Sequence, residues 1–178
     1  MAATVLVLPG YGNSGPEHWQ TSWERRHGYV RVVQDDWERP ELAAWKRRLA
    51  DAVARACDPV VLVAHSLGCA LVAHVAGDVL AARITGALLV APPDVDEIRH
   101  LLPEIESFAP LPLVPLPFPA IVVTSTNDPY VEAERARAIG LRVALAPTII
   151  VASTLANGSS GERSHAVPRT KATLAPSL

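Results

Sequence analysis

The 178-residue sequence predicts an α/β domain, a parallel sheet of five or six strands with helices on both faces. Short apolar runs rich in β-branched residues recur at Thr4–Leu8, Tyr29–Val33, Val60–Val63, Ile84–Val90 and Ala120–Thr124. Helical patterns fill most of the intervals between them. The runs are almost continuously apolar, as strands buried on both faces are. Right-handed crossovers then bring the C-terminal end of every strand to one edge of the sheet.

In chain order, the first run stops at Pro9-Gly10-Tyr11-Gly12-Asn13-Ser14-Gly15-Pro16, a loop no regular element could contain. Ser14 and Glu17 have capping-box spacing, which predicts a helix over Gly15–Arg26 with Trp19 and Trp23 on one face. Trp23 is expected as a core anchor, and Trp19, beside His18, as a candidate pocket wall. After the second run, Leu42, Trp45, Leu49, Val53 and Ala56 fall at three- and four-residue steps and predict an amphipathic helix over Pro40–Ala56. Lys46, Arg47, Arg48 and Asp51 lie mostly off that stripe and read as its solvated side.

The Val60–Val63 run ends at Ala64-His65-Ser66-Leu67-Gly68, and a small-residue helical pattern, about Leu67–Ala76, begins at once. This is the layout of a nucleophile elbow, G-x-S-x-G with alanine in the first place. A serine that merely caps a helix is the plainer reading of such a position. Beyond the fourth run, Asp94–Leu102 predicts a short helix. Pro103–Pro119, with six prolines in seventeen residues, predicts an extended connector, and its apolar residues pack it against the body. After the fifth run come Ser125-Thr126-Asn127-Asp128-Pro129-Tyr130, a helical pattern through Val131, Ala133, Ala136 and Ile139, and a possible strand over Arg142–Val151.

A chain of this length forms one domain, residues 1–178, with about 152–178 as an irregular tail; it buries roughly 70% of its unfolded surface. A formal charge of −2 and a pI near 6.3 argue against nucleic-acid partners, and neither a basic run nor a span-length apolar stretch points to a membrane. The N-terminus enters a strand without a basic leader region, so a cytoplasmic setting is expected. Cys57 and Cys69 lack metal-ligand spacing. No metal and no cofactor is expected, and the partner is a small molecule, with a protein partner or homodimer as further options.

Ser14, Ser66, Asp94 and Asp128 all follow strand ends and gather on one edge. A serine hydroxyl needs a base, an acid to orient that base, and donors for the oxyanion. Ser66 is the candidate nucleophile, and the backbone amides of Leu67 and Tyr11 are the candidate donors. Asp128, in a sharp turn, is favoured over Asp94 as the acid. The order Ser, Asp, His leaves His165 as the base, since His18, His27, His65, His74 and His100 all precede Asp128.

These residues resemble the small α/β-hydrolases similar to retinoblastoma-binding protein 9. The matching stretches are Leu8-Pro-Gly-Tyr-Gly-Asn-Ser-Gly-Pro-Glu-His-Trp-Gln20, Gln34-Asp-Asp-Trp-Glu-Arg-Pro40 with Trp45, Val63-Ala-His-Ser-Leu-Gly68, Pro117-Phe-Pro-Ala-Ile-Val-Val123 and Ser125-Thr-Asn-Asp-Pro-Tyr130. They lie in order over residues 4–135. The resemblance implies a compact α/β-hydrolase fold, with Ser66 as nucleophile, Asp128 as triad acid and esterase-type activity. After about Gly140 the chain departs from that pattern: the family's Gly-His-Ile-Asn motif, Trp-Pro element and closing helix are absent, and Glu162 is the one acidic residue among the last 27. A shifted reading frame or a recombined end would produce such a change.

The expected function is hydrolysis of small carboxylic esters by Ser66, His165 and Asp128. The rival is a non-catalytic member that keeps the fold as a binding or protein-interaction module. A cysteine-dependent enzyme using Cys69 is the third reading.

Overall fold

The structure, a computed structural model, describes residues 3–57, 59–125 and 148–152. Among them, six strands form one sheet in the order β2-β1-β3-β4-β5-β6. These are β1 (Thr4–Leu8), β2 (Val30–Arg31), β3 (Val60–His65), β4 (Ile84–Val90), β5 (Ala120–Ser125) and β6 (Thr148–Ala152). Every pairing is parallel, as the apolar runs predict. The expected helix after β5, the start of the Arg142–Val151 strand and the 153–178 tail lie outside the described residues.

From β1 the chain crosses to β2 on one side, then returns to place β3 on the other, after which β4, β5 and β6 follow outward. The carboxyl ends of β1 and β3 therefore flank the point where the winding direction reverses. Open α/β sheets place their ligand crevice there.

Leu6, Leu8, Leu62, Ala64, Ala87, Leu89, Ala120 and Val122 alternate along their strands and share one face. They merge into a single buried cluster with helix α2 (Leu42–Arg55), helix α3 (Leu67–His74) and the 103–118 segment. The predicted stripe of α2 is the buried one, through Trp45, Leu49 and Val53. Lys46, partly exposed on the flank of that stripe, bridges to Asp78 at 3.0 Å. On the opposite face, Ile121 and Ile150 remain 42% and 49% exposed, and the register places Ile150 beside Val123.

Several expectations are corrected. Helix α1 spans Trp19–His27, and its N-cap is His18, whose Nδ1 accepts the Gln20 amide at 3.2 Å. The Ser14–Glu17 capping box does not form, because the Ser14 hydroxyl turns inward and donates to Gln20 Oε1 at 2.6 Å. Trp23 is 37% exposed rather than a core anchor, stacking edge-on against Trp19 and Tyr29 at the surface. Strand β2 is confined to two residues. Helix α3 stops at His74, and α4 is a single turn, Val95–Ile98. The proline-rich connector opens with a 3₁₀ helix, Pro103–Phe108, since proline at the first position of a helix forfeits no hydrogen bond. In the rest of it Leu111, Leu116 and Phe118 are buried as predicted, while Val114 is exposed.

Candidate active site

Ser66 is the single residue between β3 and α3, at φ 50° and ψ −123°. An L-residue pays roughly 1–3 kcal/mol for such backbone, so the surroundings must over-determine it. They do so from two neighbouring strands. The Ser66 amide donates to Val90 O at the end of β4 (3.0 Å), and its carbonyl accepts the Cys69 amide (2.8 Å), closing the first turn of α3. From β1, Leu8 and Pro9 press against Gly68: a Cβ there would lie 2.4 Å from Leu8 O and 2.8 Å from Pro9 O. Gly10 is equally crowded, with its absent Cβ 2.8 Å from Ser66 Cβ and 3.2 Å from the Leu67 nitrogen. The elbow and the glycine loop thus fit together only with glycine at both positions.

The loop after β1 is fastened on every side. Gly12 and Asn13 adopt left-handed backbone, at φ 71° and 68°. The Gly12 amide donates to Trp37 O, and the Asn13 amide to Gly10 O. Arg31, beside the loop, donates to Asn13 Oδ1 (2.8 Å), to Ser14 O (2.9 Å) and to Thr21 Oγ1 (2.6 Å), while pairing with Glu24 at 2.8 Å. The Tyr11 side chain is half-buried. Burial, then the Glu104 and Glu38 carboxylates, push its hydroxyl above the ordinary phenol value, so it stays protonated.

Of the residues singled out from the sequence, the structure brings Ser66 and Leu67 together with Gly10, the neighbour of Tyr11. Ser14 is buried and donates its hydroxyl to Gln20. Asp94 is buried just beyond the end of β4. Asp128 and His165 lie outside the described residues.

The family model for serine hydrolases matches residues 5–160. The chain belongs to the serine hydrolase family. The match runs past Gly140 and takes in β6. Among solved structures, a YdeN-like hydrolase from Pectobacterium atrosepticum is 27% identical, with a TM-score of 0.71 over 84% of this chain and 76% of that one. The ydeN gene product of Bacillus subtilis, 17% identical, gives a TM-score of 0.61 over 86% of each chain. The mouse α/β-hydrolase domain-containing protein 10, 16% identical, gives 0.61 over 83% of this chain and 79% of that one. The fold is that of the α/β-hydrolases. No curated protein matches the sequence.

In this serine hydrolase-family chain the residue before Ser66 is packed among aromatic rings. His65 faces His18, ring centroids 4.8 Å apart, with Trp19 edge-on at 6.1 Å. Burial, and secondarily the His18 charge, lower His65 to about 4, so it is neutral near pH 7. His18 is lowered too, by burial and then by Arg31. Cys69 is buried in α3 with its thiol against Val90 O at 3.4 Å, and burial pushes its pKa far above the ordinary thiol value. A buried thiol raised in this way is disfavoured as a nucleophile, which counts against the cysteine-enzyme reading.

Gln20 is the residue sequence reasoning missed. It is fully buried, and its carboxamide bonds to Ser14 Oγ, Leu8 O and Val63 O. A glutamine in the first turn of a helix reads as a solvated helix former, and no spacing rule distinguishes it. Among the described residues, no helix is long and apolar enough to cross a membrane, and no cluster of three or more His, Cys, Asp or Glu could hold a metal ion.

Proposed function

We propose that the protein hydrolyses small carboxylic esters through an acyl-enzyme on Ser66, in the manner of the retinoblastoma-binding protein 9-like hydrolases it resembles. The observation that carries this is the left-handed backbone of Ser66 between β3 and α3, a costly conformation that exposes the serine at the switch point of the sheet. Ser66 Oγ attacks the acyl carbon as the His165 imidazole takes its proton, and Asp128 orients and steadies the resulting imidazolium. The tetrahedral oxyanion is held by the Leu67 and Tyr11 amides, whose convergence is supported by the contact of Gly10 with Leu67 N. Collapse breaks the ester C–O bond, the imidazolium protonates the departing alkoxide, and a water activated by the same histidine releases the acid. The substrate is a small-molecule ester, and neither metal nor cofactor takes part.

Labelling with a fluorophosphonate probe tests the reading. Wild type labels, Ser66→Ala and His165→Ala do not, and esterase activity falls by about 10⁴-fold or more in Ser66→Ala. Equal labelling of His165→Ala and wild type would assign the base elsewhere. The absence of the Gly-His-Ile-Asn motif favours a second reading, a binding module on the hydrolase scaffold. A folded wild type that takes up no probe would establish that one instead.

A further inference from the structure

We infer that Gln20 is a positioning residue for the reaction: its carboxamide locks the loop from Gly10 to Ser14 onto the ends of β1 and β3, setting where the Tyr11 amide stands relative to Ser66. The inference rests on the serine-hydrolase reading above and adds to it a residue with no contact to substrate.

The geometry is that of a bracket. Gln20 has no exposed surface. Its Nε2 donates to Leu8 O at 3.2 Å and to Val63 O at 3.1 Å, and its Oε1 accepts the Ser14 hydroxyl at 2.6 Å. Leu8 is the last residue of β1 and Val63 lies three residues before the nucleophile, so one amide group spans the two strands that flank the switch point. Leu8 O is also the atom against which Gly68 closes. The same carbonyl thus registers the elbow helix on one side and the Gln20 bracket on the other.

A carboxamide alone among neutral side chains donates twice and accepts at the same time. An ionised glutamate in its place would present oxygen to both carbonyls, and an apolar side chain would leave both carbonyls and the Ser14 hydroxyl without this partner. Ser14 is held from the other side as well, since Arg31 and Thr21 donate to its carbonyl at 2.9 and 3.0 Å. With Ser14 fixed at one end and Gly10 wedged against the elbow at the other, Tyr11 has little room to move. A displacement of about 1 Å at such a donor costs on the order of 100-fold in rate.

The test uses Ser14→Ala, Gln20→Glu and Gln20→Met in the full chain, with p-nitrophenyl acetate as substrate and active sites counted by fluorophosphonate titration to completion. The expected result is a roughly 10- to 100-fold fall in kcat per titrated site with little change in KM. The Ki of a trifluoromethyl ketone, whose adduct places an oxyanion where the tetrahedral intermediate does, should rise by the same factor. A merely structural role would lower the titrated fraction and the melting temperature while leaving kcat per site and Ki unchanged, and that result overturns the inference. Should the Gln20 variants fail to fold, Ser14→Ala, which removes only the loop's half of the bracket, decides by the same two readouts. A folded wild type that takes up no probe overturns the hydrolase reading and this inference together; an active wild type with unaltered Ser14→Ala kinetics overturns the inference alone.

Discussion

Gly10 and Ser66 approach so closely that a methyl group on Gly10 would stand 2.8 Å from Ser66 Cβ. The contact joins the loop after the first strand to the proposed nucleophile. Gly10→Ala should therefore cost about 1–3 kcal/mol of stability and, by pushing loop and elbow apart, on the order of 100-fold in kcat. Gly68→Ala, which would drive a methyl into two backbone carbonyls, should be the more destabilising. Urea denaturation and esterase assays of both variants check the ranking.

The backbone of Ser66 stores strain that glycine would relieve. Ser66→Gly and Ser66→Ala should be equally inactive, yet the glycine variant should be the more stable by about 1 kcal/mol, the relief of the left-handed conformation outweighing the added freedom of the unfolded chain. Equal melting curves for the two would show that the elbow is unstrained.

His65, lowered to about 4 in the folded protein by its burial against His18, titrates near 6.5 once unfolded. The folded state binds the proton less tightly, so this contribution to stability is fully present above pH 6.5 and is lost as the pH falls through 4. Between pH 7.5 and 4.5 it amounts to about 2–3 kcal/mol. His65→Gln should flatten that part of the pH dependence measured by chemical denaturation. His18, lowered in the same direction, should leave a smaller slope of the same sign.

Cys57 is exposed and Cys69 buried. Iodoacetamide should modify Cys57 alone in the native protein, read by intact mass, and hydrolysis should survive the modification. Loss of activity on alkylation, retained in Cys57→Ser, would restore the thiol to the mechanism.

What the sequence made legible was whatever depends on local pattern. The strand runs and their parallel sense, the buried stripe of α2 through Trp45, Leu49 and Val53, and Ser66 between strand and helix follow from periodicity and from small residues at fixed offsets. What it concealed depends on partners remote in the chain. Ser14 has the spacing of a cap, but the buried amide of Gln20 competes for its hydroxyl and wins. Trp23 has the size of a core residue, yet it sits on the flank of α1 turned toward Tyr29. Gln20 itself could not be singled out, because its burial is dictated by two carbonyls on strands that sequence distance separates. Pro103 marks the start of a helix rather than its exclusion, since the first helical position needs no N–H.

The conformation of Ser66 draws its support from Leu8 on β1 and Gly10 in the loop after it, from α3, and from Val90 on β4. None of these is a near neighbour in the chain except α3. The conformation of Ser66 accordingly forms only when three strands have docked, a late and non-local event in folding. A probe that modifies Ser66 is then also a clock for assembly. Added at intervals after dilution from denaturant, it would count completed molecules while circular dichroism, sensitive to helices formed locally, would have risen already.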